Sequence, residues 1–243
     1  MLRALHVALI FLTTLPVPPV KAWGPDDARR SVRAYPLVGL MLGAVLWVAW
    51  ELLSVFPGPM RGALLLGLGL LLTGALHLDG FCDVADAAFS SAPPERRREI
   101  LKDPHLGAFA LAAGGALLVL KAAALGSLAQ PAVLLVIPLL SRTLVVLPLT
   151  FWPVHASSRL GRDTRTGLRE ALVPLVLGLT LTAVLGVLTA QLATFLALAT
   201  AALLTVTLLS GWLSRRLGGL GGDAYGAVIE TSEAVMLTLA TLA

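Results

Sequence analysis

Residues 172–213 read LVPLVLGLTLTAVLGVLTAQLATFLALATAALLTVTLLSGWL, and from Leu172 to Leu213 there is no Asp, Glu, Lys or Arg. Gln191 divides the stretch into Leu172–Ala190 and Leu192–Leu213, each about 20 residues long. At about 1.5 Å of rise per residue, a helix of that length matches the roughly 30 Å hydrocarbon core of a bilayer. The stretch reads as two membrane-crossing helices joined by a tight turn.

Working outward, comparable apolar runs occur at Leu37–Phe56, Gly62–Leu76, Ala108–Ala129, Val133–Val154 and Ala224–Leu242. The expected fold is all-α: one polytopic integral membrane domain over residues 1–243 with about seven spans. The N-terminal MLRALHVALIFLTTLPVP has an apolar run of about a dozen residues, no small-residue cleavage site, and a Pro-rich end. It is too short to cross and is expected to form an interfacial or re-entrant helix. Composition agrees. Hydrophobic residues make up 57% and charged residues 13%, with a mean hydropathy of +0.88, whereas soluble domains carry about 25% charge. Cys82 is the sole cysteine, which excludes an internal disulfide and a multi-cysteine zinc site.

The net charge of +4 and pI near 9.8 do not point to nucleic acid, because the basic residues are segregated. Arg3, Lys21, Arg29, Arg30 and Arg33 precede the first span, and Arg96, Arg97, Arg98 and Lys102 follow the second. Arg159, Arg162, Arg165 and Arg169 follow the fourth, and Arg215 and Arg216 precede the seventh. These alternate segments hold fifteen of the eighteen basic residues. The positive-inside rule places them in the cytoplasm of a multi-pass protein of the cytoplasmic (inner) membrane, facing anionic lipid of the bilayer. Most of the acidic residues share that side. Glu51, Lys121, Arg142, Glu230 and Glu233 fall inside or near spans and are expected to snorkel to an interface.

The acidic chemistry centres on HLDGFCDVADA, residues 77–87. Asp79, Asp83 and Asp86 are spaced i, i+4, i+7 and so share one helical stripe. Three carboxylates on a stripe repel one another unless a cation lies among them, and oxygen-only ligation favours Mg²⁺; the plainer alternative is a solvated helix face. Gly80 lets a phosphate approach the backbone. His77, on the opposite face, is a candidate general base or phosphate donor. In LKDPHLG (101–107), Lys102 and Asp103 stand at the entry to the third span, with Asp103 placed to cap a helix that Pro104 starts. LGGLGGD (217–223) is a glycine-dense loop before the last span. Gly221 and Gly222 are candidates to wrap a phosphate there, and Asp223 is a further acid.

Together with FLTTLPVP (11–18), YPLVG (35–39), TGALHLDGFCDVADA (73–87), Ser141–Arg142 and LGGLGGDAYGA (217–227), these motifs resemble the cobalamin synthase family of adenosylcobinamide-GDP ribazoletransferases. The likeness runs nearly end to end. It implies a Mg²⁺-dependent membrane enzyme that joins α-ribazole or its 5′-phosphate to adenosylcobinamide-GDP and releases GMP. Carried over, it implies catalytic roles for His77, Asp79 and Asp83 and metal ligation by Asp79, Asp83, Asp86 and Asp223. It also implies substrate binding by Gly80, Lys102, Asp103, Arg142, Gly221 and Gly222, and it leaves room for a homo-oligomer. Ala87, Pro104 and residues 155–161 depart from the family's pattern. The rivals are a phosphotransferase of the CDP-alcohol type, whose motif fails because Asp79-Gly80 is followed by Phe-Cys-Asp, and a transporter.

Overall fold

The computed structural model describes residues 1–20, 23–155 and 158–242. Lys21, counted above among the basic residues, lies outside them, as do Ala156 and Ser157. The helices are α1 Leu2–Leu12, α2 Pro25–Ser31, α3 Tyr35–Leu52, α4 Gly58–Thr73, α5 Leu76–Phe89, α6 Pro94–Ile100, α7 Ala108–Gly126, α8 Val133–Leu144, α9 Val146–Phe151, α10 Arg159–Thr164, α11 Leu168–Leu188, α12 Leu192–Leu217 and α13 Gly222–Ala240. Among the described residues the all-α expectation holds, the single β-bridge joining Val154 to Leu220.

Among the described residues five helical stretches are long and apolar enough to cross a membrane: Pro25–Val55, α7, α8 with α9, α11 and α12. The bent pair α4 and α5 makes a sixth if it crosses as one. The expected seven is not reached by length and composition. One expected span, α4, has only 16 residues, about 24 Å of helix. Another, α13, carries Asp223, Glu230 and Glu233. The N-terminal run forms α1, 11 residues long and shorter than a span.

The bundle is built around α8 and α9, which are 83% buried against 22–33% for the other four spans. Leu172, Val176, Val187 and Leu188 of α11 and Leu204 and Leu208 of α12 point outward, exposed, as side chains solvated by lipid do. Close packing on α8 comes from small residues. A Cβ at Gly39 would lie 2.3 Å from the Pro138 carbonyl oxygen, and one at Gly43 would lie 2.5 Å from that of Leu134. The α3 and α8 backbones therefore touch, as small-xxx-small pairs allow in membranes.

The interior also holds charge. Lys121 of α7 donates to Glu230 Oε2 at 2.6 Å and to Glu233 Oε2 at 2.9 Å. Arg142 of α8 pairs with Glu233. All four are buried, between 2% and 8% exposed, so they do not snorkel as expected; only Glu51 stays exposed. Two cations and two anions balance within the core, which removes the large penalty of an isolated charge in hydrocarbon.

Helices α4 and α5 meet at a 94° bend. Ala75 N–H donates to Leu70 O and Gly74 N–H to Leu71 O, the pattern of a Schellman cap. Gly74 and Ala75 have φ of +61° and +54°. The N-terminal segment seals this break from outside, with Thr14 N–H donating to Leu72 O at 2.8 Å and Thr14 Oγ1 to Leu71 O at 2.6 Å. A left-handed alanine costs about 1–2 kcal/mol, which glycine does not incur. Ala75→Gly should raise the unfolding temperature in detergent, and Ala75→Val, β-branched in the same conformation, should lower it; thermal melts of the purified variants test both.

Candidate active site

Turned by the bend, α5 packs against the first half of α13. The crossing is tight. A Cβ at Gly80 would sit 2.7 Å from the Asp223 Cα, and one at Gly226 would sit 3.0 Å from the His77 carbonyl oxygen. The expectation that Gly80 opens its backbone to a phosphate is corrected here, because the α13 backbone fills that space. Contact at Gly80 instead brings carboxylates from two helices together: Asp79 and Asp223 border one cavity, with His77 beside them and apolar walls from Leu76, Leu149 and Ile229. His77 and Asp79 lie on different sides of α5, yet both reach this cavity because it opens at the helix's first turn.

Asp83 is half-buried, within electrostatic range of Asp79, Asp223 and Asp86. Asp86 has a different task from the one expected. Its Oδ2 accepts from Gly107 N–H at 2.7 Å and its Oδ1 from Ala110 N–H at 2.9 Å, so it caps the start of α7 from another helix. A Cβ at Gly107 would lie 2.5 Å from that carboxylate. This also corrects the capping role read for Asp103, since α7 begins after Gly107, not at Pro104. Among the described residues no three His, Cys, Asp or Glu side chains stand as a ready metal cage. The shared cradle of Asp79, Asp83 and Asp86 is thus not preformed. Asp79, Asp83 and Asp223 nevertheless make no ion pair among the described residues. Uncompensated carboxylates on facing helices suit a hard cation such as Mg²⁺, which uses one or two carboxylates together with substrate phosphates.

Beyond Asp223 the glycine loop shapes a second, polar cavity. Gly218 and Gly219 have φ of +74° and +126°, conformations that side-chain-bearing residues rarely adopt. The loop is zipped to the segment after α9, Leu220 N–H donating to Pro153 O at 2.9 Å and His155 N–H to Leu220 O at 2.8 Å. Gly221, Gly222 and Asp223, at the N-terminus of α13, line this cavity together with Arg98, Lys102 and His155. Helix N-terminal amides and basic side chains form an anion-binding arrangement. Partial burial, with the charges of Arg98 and Lys102 alongside, pulls the His155 imidazole below its ordinary range.

Of the residues singled out in the sequence, Lys102, Gly221 and Gly222 reach the polar cavity, and His77, Asp79 and Asp223 the apolar one. Gly222 and Asp223 border both. Asp103 does not face them. It accepts from the His105 ring and backbone N–H, which hold its carboxyl below the usual carboxylate range. Arg142, expected to hold substrate, is instead 2% exposed in the ionic core. Arg98 and His155 were not singled out as ligands. Arg98 lies in the run Arg96–Arg98 that orientation already explains, and His155 in a stretch without a distinctive pattern. Arg216 secures the far end of α5, donating to Ala88 O at 2.8 Å and Ser90 O at 3.0 Å.

Removing the cap on α7 should cost about 0.5–2 kcal/mol. Asp86→Ala should speed hydrogen exchange at the Gly107 and Ala110 amides, whereas Asp86→Asn, which keeps one acceptor oxygen, should speed it less. Equal protection in all three proteins would show that the cap contributes nothing.

The profile of the cobalamin-5-phosphate synthase family matches residues 4–241. A protein of Deinococcus radiodurans named adenosylcobinamide-GDP ribazoletransferase is 40% identical, the alignment spanning 97% of this chain and 84% of the relative. Proteins of the same name from Desulfitobacterium hafniense and Ectopseudomonas mendocina are 38% and 40% identical, each over 97% of this chain and over 95% and 97% of the relative. No solved structure matches the chain. With the match running through every motif that builds the two cavities, the chain belongs to the cobalamin-5-phosphate synthase family.

Proposed function

We propose that the chain transfers the phosphoryl-linked adenosylcobinamide of adenosylcobinamide-GDP to a ribose hydroxyl of α-ribazole or its 5′-phosphate and releases GMP. The observation that carries this reading is the junction of the two cavities at Gly222 and Asp223. One side is apolar and carries carboxylates; the other is basic and amide-rich. A substrate whose reacting pyrophosphate links a large organic group to a nucleotide needs both surfaces, with its phosphorus at their seam.

Each wall has a task. The first amides of α13, helped by the dipole of a 19-residue helix, hold phosphate oxygens, and Arg98 and Lys102 add positive charge. In the transfer, the ribose oxygen bonds to the phosphorus next to cobinamide, the bridging P–O bond breaks, and GMP leaves with its electron pair. The hydroxyl proton passes to a group of the site. Mg²⁺, for which Asp79, Asp83 and Asp223 offer oxygen ligands from two helices, would supply charge neutralisation on the pyrophosphate. In this reading Asp86 supports the stripe through α7.

The charge distribution supports a cytoplasmic location for this end of the molecule, in the inner membrane. The basic segments meet there: Arg29 and Arg33 approach Glu170 at 3.8 and 3.7 Å, and Arg97 reaches the Arg216 carbonyl at 3.3 Å. Cysteines introduced at Glu95 or Arg159 of a Cys82→Ser protein should be labelled from inside cells only. Labelling of either from outside would reverse the orientation.

Purified protein given adenosylcobinamide-GDP, α-ribazole and Mg²⁺ should release GMP in a one-to-one ratio with the new phosphodiester. Asp83→Asn should lose at least about 10²-fold in turnover while remaining folded. Release of GDP, or turnover of CDP-activated lipids without action on the corrinoid, would sink the assignment.

A further inference from the structure

The ionic core does not end at Arg142. Its Nη2 lies 3.3 Å from Nδ1 of His77, and His77 is 5% exposed. A guanidinium carries donors and no acceptor. The contact is a hydrogen bond only if Nδ1 is unprotonated, which leaves the ring proton on Nε2. A doubly protonated ring would set one N–H against another at this contact. Arg142 itself has little freedom. Its Nη1 donates to Ser141 Oγ at 2.8 Å and pairs with Glu233, which also accepts from Ser141 Oγ at 3.1 Å and from Lys121.

We propose that Arg142 is a positioning residue that fixes His77 as its Nε2–H tautomer, so that His77 donates a hydrogen bond to a phosphate oxygen and does not act as the base. The ring edge away from the guanidinium is the one His77 can present to the cavity it shares with Asp79 and Asp223. An Nε2–H there has no lone pair with which to take the ribose proton. That proton goes to a carboxylate of the stripe, and the imidazole stabilises the charge that gathers on the phosphoryl oxygens as the bridging bond breaks. The interior ion cluster thereby sets the tautomer of a site residue.

The proposal rests on the reaction assigned above for the donor role alone; the tautomer can be read without substrate. Protein labelled with ¹⁵N-histidine in detergent should show His77, identified by the signals lost in His77→Gln, with a protonated Nε2 and a bare Nδ1. Arg142→Met, which has no donor, should turn this into a mixture of tautomers, and Arg142→Lys, which keeps a donor, should restore part of both the tautomer bias and kcat. Because Arg142→Met leaves Glu233 one partner short, Arg142→Met/Glu233→Gln, which keeps the core neutral with Lys121 on Glu230, serves as the folded counterpart. In turnover, His77→Ala should lose about 10²–10³-fold, the loss typical of one missing transition-state donor. His77→Gln, whose amide can place an N–H near the Nε2 position, should lose far less. A protonated Nδ1 in the wild type overturns the tautomer assignment, and His77→Gln as slow as His77→Ala overturns the donor role. Absence of GMP release by the wild type would instead defeat the reaction assignment and leave the tautomer result standing.

Discussion

A charge inside a bilayer must find its counter-charge in the protein, because no water is present to solvate it. In this molecule that requirement ties together three helices. Lys121 of α7, Arg142 of α8 and the pair Glu230 and Glu233 of α13 satisfy one another in a buried cluster. Breaking any one partner would strand the others, so the relative depth of the three helices is fixed more sharply than apolar packing alone could fix it. Since lipid is as apolar as leucine, the hydrophobic effect does little to hold one span against another.

The site inherits this rigidity. With α13 held by its glutamates, its first turn and the glycine loop before it stand at a set position, and α5 is laid across them. Three devices hold α5. The left-handed pair Gly74 and Ala75 turns it away from α4, Asp86 anchors it to α7, and Arg216 grips its last carbonyls. Gly80 and Gly226 remove the bulk that would keep α5 and α13 apart. The carboxylates of Asp79 and Asp223 then come to one cavity without any bond between them.

Much of this was legible in the sequence, and the gaps have physical causes. Long apolar runs announced α7, α11 and α12 because span length and hydropathy are local properties. The i, i+4, i+7 spacing of the aspartates gave their angular position on a helix but not their distance from neighbouring helices. It could not show that Asp86 turns to the amides of Gly107 and Ala110, or that Gly80 faces Asp223. The depth of Lys121 and Arg142 was misread because snorkelling depends on which neighbours a side chain meets, and Glu230 and Glu233 are about a hundred residues away in sequence. The break at Ala75 gave no signal, since alanine ordinarily favours a continuing helix. Arg98 was masked by its own company of arginines.

The attachments of α5 share a direction along the chain. The groups that meet α5 at His77, Gly80, Asp86 and Ala88 come later: Gly107 and Ala110, Arg142, Arg216, Asp223 and Gly226. While the protein is being made, the aspartate helix emerges long before the residues that hold it, and its facing carboxylate arrives only with the last helix. A ribosome-bound or truncated chain carries the whole acidic motif without the means to aim it.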